Sequence, residues 1–410
     1  MVNNSENHIF TLDNGLKCVF RQSKHVGYCG ITINAGSRED GPDFGLAHFV
    51  EHTIFKGTTK RKSRHIASRM EGIGGDLNAF TGKDNTTIYT AYPAGFSARS
   101  LDLISDLAID SIFPPEELDK EREVIVDEIN LYLDNPAESI FDEFEDRIFA
   151  GSTMGHNILG TSESVRNINH DKCLAFRNRF YRASNMSLYC VDNCTPEKAY
   201  SMINKYFGKM ETGERNVRIQ PVKEVKAFDE VIEREGHQAH TVLGSRVSYR
   251  HDPERFALWL LNNHIGGPNM NSLLNRELRE KRGYVYTVDS GINLMDECGM
   301  FTIYFGCDRE HVGPCMRIAK RLLTSLAEHP MKPATFERIR SQFLGQLLVG
   351  TDNKESQAIA LGKSLLYFDK IYDMEHTKEH IMQLTPEKLR TAAERILSAG
   401  LSRLTIDPCR

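Results

Sequence analysis

The sequence predicts an α+β fold of two homologous α/β units, each an antiparallel sheet covered on one face by helices. Three observations carry that expectation. Strand-like runs come in pairs joined by short polar turns and are followed by helical segments, the order of antiparallel strands with helices packed on them. The 410 residues are too many for one ordinary core and suit two units of about 200 residues. Several segments also recur in the same order at nearly one offset, as in a duplicated unit.

Taken in order, "HIFTLDNGLKCVFRQ" (8–22) reads as strand, Asp-Asn-Gly turn and strand, and "YCGITINAGSRED" (28–40) as a further strand. Apolar residues at helical spacing predict a helix over Gly45 to Phe55 and another over "SRHIASRMEGIG" (63–74). "DLNAFTGKDNTTIYTAY" (76–92) is two strands about a polar turn. The pattern then turns helical through "SARSLDLISDLAIDSIF" (97–113) and the long "PEELDKEREVIVDEINLYLDN" (115–135). The helix "HDKCLAFRNRFY" (170–181) and the strand "NMSLYCVD" (185–192) close the first half. The polar, pattern-poor stretch 208–230 is the expected linker, which puts the domains at 1–207 and 231–410.

The repeats are individually weak and collectively consistent. Residues 170–192 match 386–408 at an offset of 216 as helix, turn and strand. "LDNPAES" (133–139) resembles "GTDNKES" (350–356), and "FGLAHFVEHTIFKG" (44–57) lies over "FALWLLNNHIGGPN" (256–269) at 212. The glycines of the latter follow a helix rather than a strand, so no phosphate-binding loop is expected.

Composition narrows the function. A net charge of −5 with 26% charged residues argues against a nucleic-acid binder, and no apolar run reaches membrane-span length. The start "MVNNSENHIFTLDNG" has neither a basic nor an apolar leader region, so a cytoplasmic location is expected. Nine scattered cysteines, several inside strand-like runs, read as buried reduced thiols.

The chemistry gathers in "GLAHFVEHTIFKGT" (45–58). On a helix, His48 and His52 stand one turn apart on the same face, with Glu51 rotated slightly aside. Two imidazoles and a carboxylate suit Zn²⁺, and a catalytic zinc needs a third protein ligand plus an open position. The 115–135 helix offers Glu121, Glu123, Asp127, Glu128 and Asp134. Glu121 and Glu128 share a face beside an apolar stripe read as Val124, Ile125, Ile129 and Tyr132, which favours Glu128 as ligand with Glu121 supporting it. An accidental H-x-x-E-H is expected in roughly one such chain in a hundred. At the repeat offsets His48 becomes Leu260, Glu51 becomes Asn263, His52 becomes His264, and Glu128 falls on Gly345 or Gln346. One copy carries the ligand set and the other has lost it.

These residues resemble the inverzincin zinc metallopeptidases, the family of pitrilysin, insulin-degrading enzyme and the mitochondrial processing peptidase, in which H-x-x-E-H is followed by a glutamate about 76 positions on. Glu128 stands 76 residues after His52. The resemblance covers essentially the whole chain and matches the short branch with one active and one inactive unit. It implies one Zn²⁺ per chain on His48, His52 and Glu128, with Glu51 as general base and Glu121 behind the site. It implies that the strand bearing Asn78, Ala79 and Phe80 binds substrate backbone. "LREKRGYVYTV" (278–288) resembles the segment that supplies Arg279 and a tyrosine, Tyr284 before its neighbour Tyr286, to the active site. The implied activity is endopeptidase cleavage of extended or unfolded peptides in a chamber formed by two chains, as homodimer or heterodimer. A non-catalytic peptide-binding subunit is the alternative. The acidic "FDEFEDRIF" (141–149) reads as a solvated helix face in preference to a surface that favours basic peptides.

Overall fold

The computed structural model describes residues 7–218 and 225–409. In chain order, the first half forms β1 (His8–Thr11), β2 (Lys17–Gln22), β3 (Val26–Ile33), α1 (Leu46–Thr53), α2 (Ser63–Glu71), β4 (Asp76–Thr81) and β5 (Thr86–Pro93). It continues as α3 (Ser97–Asp110), α4 (Pro115–Leu133), α5 (Pro136–Ile148), α6 (Ser162–Arg166), α7 (His170–Phe180), β6 (Met186–Asp192) and α8 (Pro196–Phe207). The second half forms β7 (Asp229–Glu235), β8 (Ala239–Val247), α9 (Arg255–Gly266), a π-helical turn at Asn275–Glu280, β9 (Val285–Leu294) and β10 (Gly299–Cys307). It ends with α10 (Val312–Glu328), α11 (Pro333–Gly350), α12 (Lys354–Phe368), α13 (Met374–Met382), α14 (Pro386–Ser398) and β11 (Ser402–Cys409). Of the expected linker, 211–218 has no regular structure and 219–224 lies outside the described residues.

The two sheets repeat one another. The first runs β1-β2-β6-β3-β5-β4 and the second β7-β11-β8-β10-β9, so β2, β6, β3, β5 and β4 correspond in order to β7, β11, β8, β10 and β9. Capping is repeated as well: Asn169 opens α7 by accepting from Lys172 N–H, and Thr385, 216 positions on, opens α14 by accepting from Lys388 N–H. The α+β reading with two homologous units holds, with two differences. One pair in each sheet is parallel, β2 with β6 and β7 with β11, because the last strand returns after a long helical excursion. Each sheet also carries helix on both faces.

The second covering explains a further difference, in the unit boundaries. One compact unit comprises Met1–Asn130, His156–Val217 and Thr351–Tyr372; the other comprises Leu131–Gly155, Arg218–Gly350 and Asp373–Arg410. The halves 1–207 and 231–410 are therefore not the units. Helix α12, from the second half, packs its Ala358, Leu361 and Leu365 on Val19, Tyr189 and Val191 of the first sheet. The opposite face of that sheet, through Cys18, Phe20, Ile31 and Leu188, packs on α1, α3, α7 and α8. Gly362 permits the close seating of α12, since a Cβ there would lie 2.7 Å from the Tyr189 ring. In the second unit, α5 from the first half packs Ile140, Phe144 and Ile148 on Val242, Tyr304 and Ile406. The stretch 141–149 is thus core-forming: Phe144 and Phe149 are fully buried, and Glu145 is 6% exposed. The weak repeat at 133–139 and 350–356 marks the entries to these two exchanged helices.

Candidate metal centre

Helix α1 starts at Gly45, whose φ of +91° and whose approach to Leu159 O leave no room for a side chain. The buried carboxylate of Asp40 accepts from Gly45 N–H and Ala47 N–H, at 2.8 Å each, and satisfies two donors of the first turn. His156 Nε2 lies 3.2 Å from the same carboxylate, and its ring stacks on Phe44 at 4.4 Å. Leu46, Phe49 and Val50 bury one side of α1 in the core. His48, Glu51 and His52 occupy the other side, with the two imidazoles 4.5 Å apart between centroids.

Helix α4 brings the carboxylates. Ile125, Val126 and Ile129 are buried, which turns Glu121 and Glu128 toward α1. Val124, read from sequence as part of the apolar stripe, is instead 51% exposed, and Leu118 and Val126 fill the core side of the helix. Glu128 Oε2 lies 3.9 Å from His48 Nε2 and 3.6 Å from His52 Nε2. Two ligands of one tetrahedral zinc stand roughly 3.4 Å apart, so this spacing suits a shared ion. Among the described residues, His48, His52 and Glu128 are the one group of three with ligand atoms all within 4.8 Å.

Behind the site, His52 Nδ1 lies 3.1 Å from Glu121 Oε1, and Lys56 Nζ bonds the other Glu121 oxygen. This carboxylate fixes the ring so that Nε2 faces Glu128, the second partner that metal-binding imidazoles require. Thr81 Oγ1 donates to Glu51 Oε2 at 2.7 Å. Charges follow the burial pattern. Burial, helped by His52, pushes the His48 imidazole down to about 3, so it is neutral and metal-competent at neutral pH. Burial works against the charged form of His52, but Glu121, Glu51 and Glu128 outweigh it and raise its pKa. Burial raises Glu51 against the opposing Thr81 bonds, while His52 and Lys56 overcome burial to lower Glu121. Among the described residues Glu51, Glu121 and Glu128 gather here with Lys56 and the two imidazoles, a negative balance that suits a divalent cation. The donor set and its charge fit Zn²⁺.

The motif alone would not have located this centre. H-x-x-E-H occurs again as His376–His380 on α13, a repeat that the sequence reading overlooked. There His380 stacks on Phe256 at 4.4 Å and its Nδ1 meets His376 O at 2.8 Å, with no third ligand assembled among the described residues.

The chain is similar to known proteins over its full length. Residues 19–162 match the family model for insulinase (peptidase family M16), and residues 167–343 match that for the peptidase M16 inactive domain. An uncharacterized zinc protease of Rickettsia bellii is 30% identical over 98% of this chain and 97% of its own length. The chain belongs to the M16 peptidase family. An uncharacterized zinc protease of Mycobacterium tuberculosis is 29% identical over 97% of this chain and 92% of its own length. Among solved structures, a Pseudomonas fluorescens protein described as a peptidase M16 inactive domain superposes with a TM-score of 0.92 at 20% identity, covering 99% of this chain and 98% of that one. A Helicobacter pylori protease gives 0.91 at 19% identity, covering 98% and 100%. These likenesses carry the fold.

The other residues of interest fall in two places. Asn78, Ala79 and Phe80 lie on β4, the edge strand of the first sheet; Asn78 is exposed, and Phe80 meets Tyr89 edge-on at 6.1 Å. The Lys363 ammonium of α12 stands 4.7 Å from the Phe80 ring centroid. Arg279, Tyr284 and Tyr286 belong to the second unit. Arg279 is exposed on the π-helical turn. Tyr284 is half-buried, stacked on His311 at 4.5 Å, whereas Tyr286 is 54% exposed and its hydroxyl donates to Asp308 at 3.3 Å. Sequence reasoning missed Asp40, His156, Lys56 and Thr81. An acid a few residues before a helix is a readable capping signal for Asp40. Thr81 meets Glu51 only through the fold. Among the described residues no helix is long and apolar enough to cross a membrane.

Proposed function

We propose that this chain is a zinc-dependent endopeptidase acting on extended or unfolded peptides. The observation that carries the reading is the convergence of His48, His52 and Glu128 beside a carboxylate, Glu51, that is not itself in the ligand set. His48, His52 and Glu128 would hold one Zn²⁺ per chain, and Glu121 would keep His52 in the tautomer that offers Nε2. When bound, the ion supplies Lewis-acid polarisation of a carbonyl and lowers the pKa of water toward ~7. Glu51 takes the proton of the attacking water and returns it to the leaving amine.

Among the described residues β4 has no strand on its outer side, so an extended peptide could add there as a further strand, a mode that tolerates many sequences and demands an unfolded one. Resemblance alone supports Arg279 with Tyr284 or Tyr286 as stabilisers of the developing oxyanion, and a chamber built from two homologous chains. The test is cleavage of a quenched, unstructured peptide by wild type and Glu51→Gln, with bound zinc measured in both. Turnover by wild type and its loss in a variant that keeps zinc is the expected result. Zinc and peptide binding without cleavage, alone or with a homologous partner, would establish a binding subunit instead.

A further inference from the structure

The hydrogen bond to Glu51 comes from an unusual place. Thr81 is the last residue of β4, paired through Thr86 to β5 on one side and bordering the free edge on the other. Its hydroxyl donates to Glu51 Oε2 at 2.7 Å. Glu51 is thereby tied at its Oε2 to the end of β4. A carboxylate on a helix otherwise has several rotamers, and burial alone does not select among them.

The second unit supplies a control. Strand register carries Thr81, opposite Thr86, onto Gly291, opposite Thr302, and the helix repeat carries Glu51 onto Asn263. Both ends of the bond are absent there together, although the strand pairing is retained. Asn263 turns instead to Gln346, at 2.8 Å. The hydroxyl is therefore not something this strand end needs in order to fold.

We propose that Thr81 is a positioning residue for the base Glu51, and that it links the peptide-binding edge of β4 to the orientation of that base, a role that rests on the peptidase reading. A peptide that orders β4 then also steadies Thr81, so its contribution appears in turnover and not in substrate affinity.

The experiment compares wild type, Thr81→Val and Thr81→Ser as full-length, zinc-loaded chains. Valine keeps the shape and removes the donor; serine keeps the donor. With a quenched peptide, Thr81→Val is expected to lower kcat about 10–100-fold, with KM within roughly twofold and zinc content unchanged, and Thr81→Ser to recover most of the loss. In a Glu51→Gln background the valine change is expected to add nothing. A second readout needs no turnover. Acetohydroxamate chelates zinc while its N–H and O–H groups seek an acceptor beside the ion, so its affinity reports the position of Glu51. That affinity is expected to fall at least fivefold in Thr81→Val and to return in Thr81→Ser. Equal hydroxamate affinity in all three proteins, or loss of zinc in Thr81→Val, overturns the proposal. A wild type that cuts no peptide while the hydroxamate series still follows the hydroxyl would overturn the peptidase reading and leave the role of Thr81 standing.

Discussion

The candidate metal centre on α1 and α4 has a counterpart on α9 and α11 in which the backbone is repeated and the side-chain chemistry is not. The first helix of each pair packs beside a sheet of the same strand order, and each is preceded by an aspartate that accepts backbone N–H bonds, Asp40 in one and Asp252 in the other. The side chains diverge at the ligand positions. Leu260, fully buried, stands for His48. Gln346 stands for Glu128, and its amide oxygen accepts from Asn263, which stands for Glu51. Ile339 stands for Glu121 and is 4% exposed. His264 stands for His52, and burial together with Arg338 and Arg276 pushes it down to about 4. A neutral amide pair has replaced a cluster of carboxylates that calls for a cation. The comparison teaches that this helix pair folds with either set of side chains, and that a few residues separate a candidate metal site from a packed polar cluster. It also accounts physically for a unit whose family model is described as inactive.

The sharpest way to break the contrast is to give the first unit the second unit's residue. Glu128→Gln is expected to weaken zinc binding by more than about 100-fold, beyond the 10–100-fold range of outer partners. Dialysis against graded chelator, with metal analysis, measures it; a retained ion would remove Glu128 from the ligand set. Glu121→Ile transfers the next difference. It leaves the ligands in place but frees the His52 ring and strands Lys56, so a loss of about 10–100-fold in metal affinity or activity is expected. The smallest effect should come from the reverse side. His264→Ala is expected to leave bound zinc per chain unchanged and its affinity within roughly twofold, because among the described residues no carboxylate completes a ligand group with that imidazole. A second zinc equivalent lost in this variant would show that the counterpart still binds metal.

What could be read without the fold was what lies along one helix or in the order of segments. The duplication, the helix bearing His48, Glu51 and His52, and the pairing of Glu121 with Glu128 on one face of α4 all follow from periods of 3.6 and 2 that each segment carries by itself. The same periodicity misassigned Val124, since one face of α4 meets the core and the adjoining face does not. It gave no sign that His376 and His380 would meet a phenylalanine ring in place of a third ligand.

By itself, then, the sequence determined which side chains share a face and that one copy of the unit keeps the residues of a candidate ligand set that the other has lost. Only the tertiary structure decided which distant faces meet. It exchanged α5 and α12 between the units, closed each sheet on its second face, left β4 at an edge and brought Thr81 to Glu51. The physical reason is range: a helical or strand period is encoded locally, residue by residue, whereas a partner across the fold depends on where the chain returns and on which apolar surface remains to be covered.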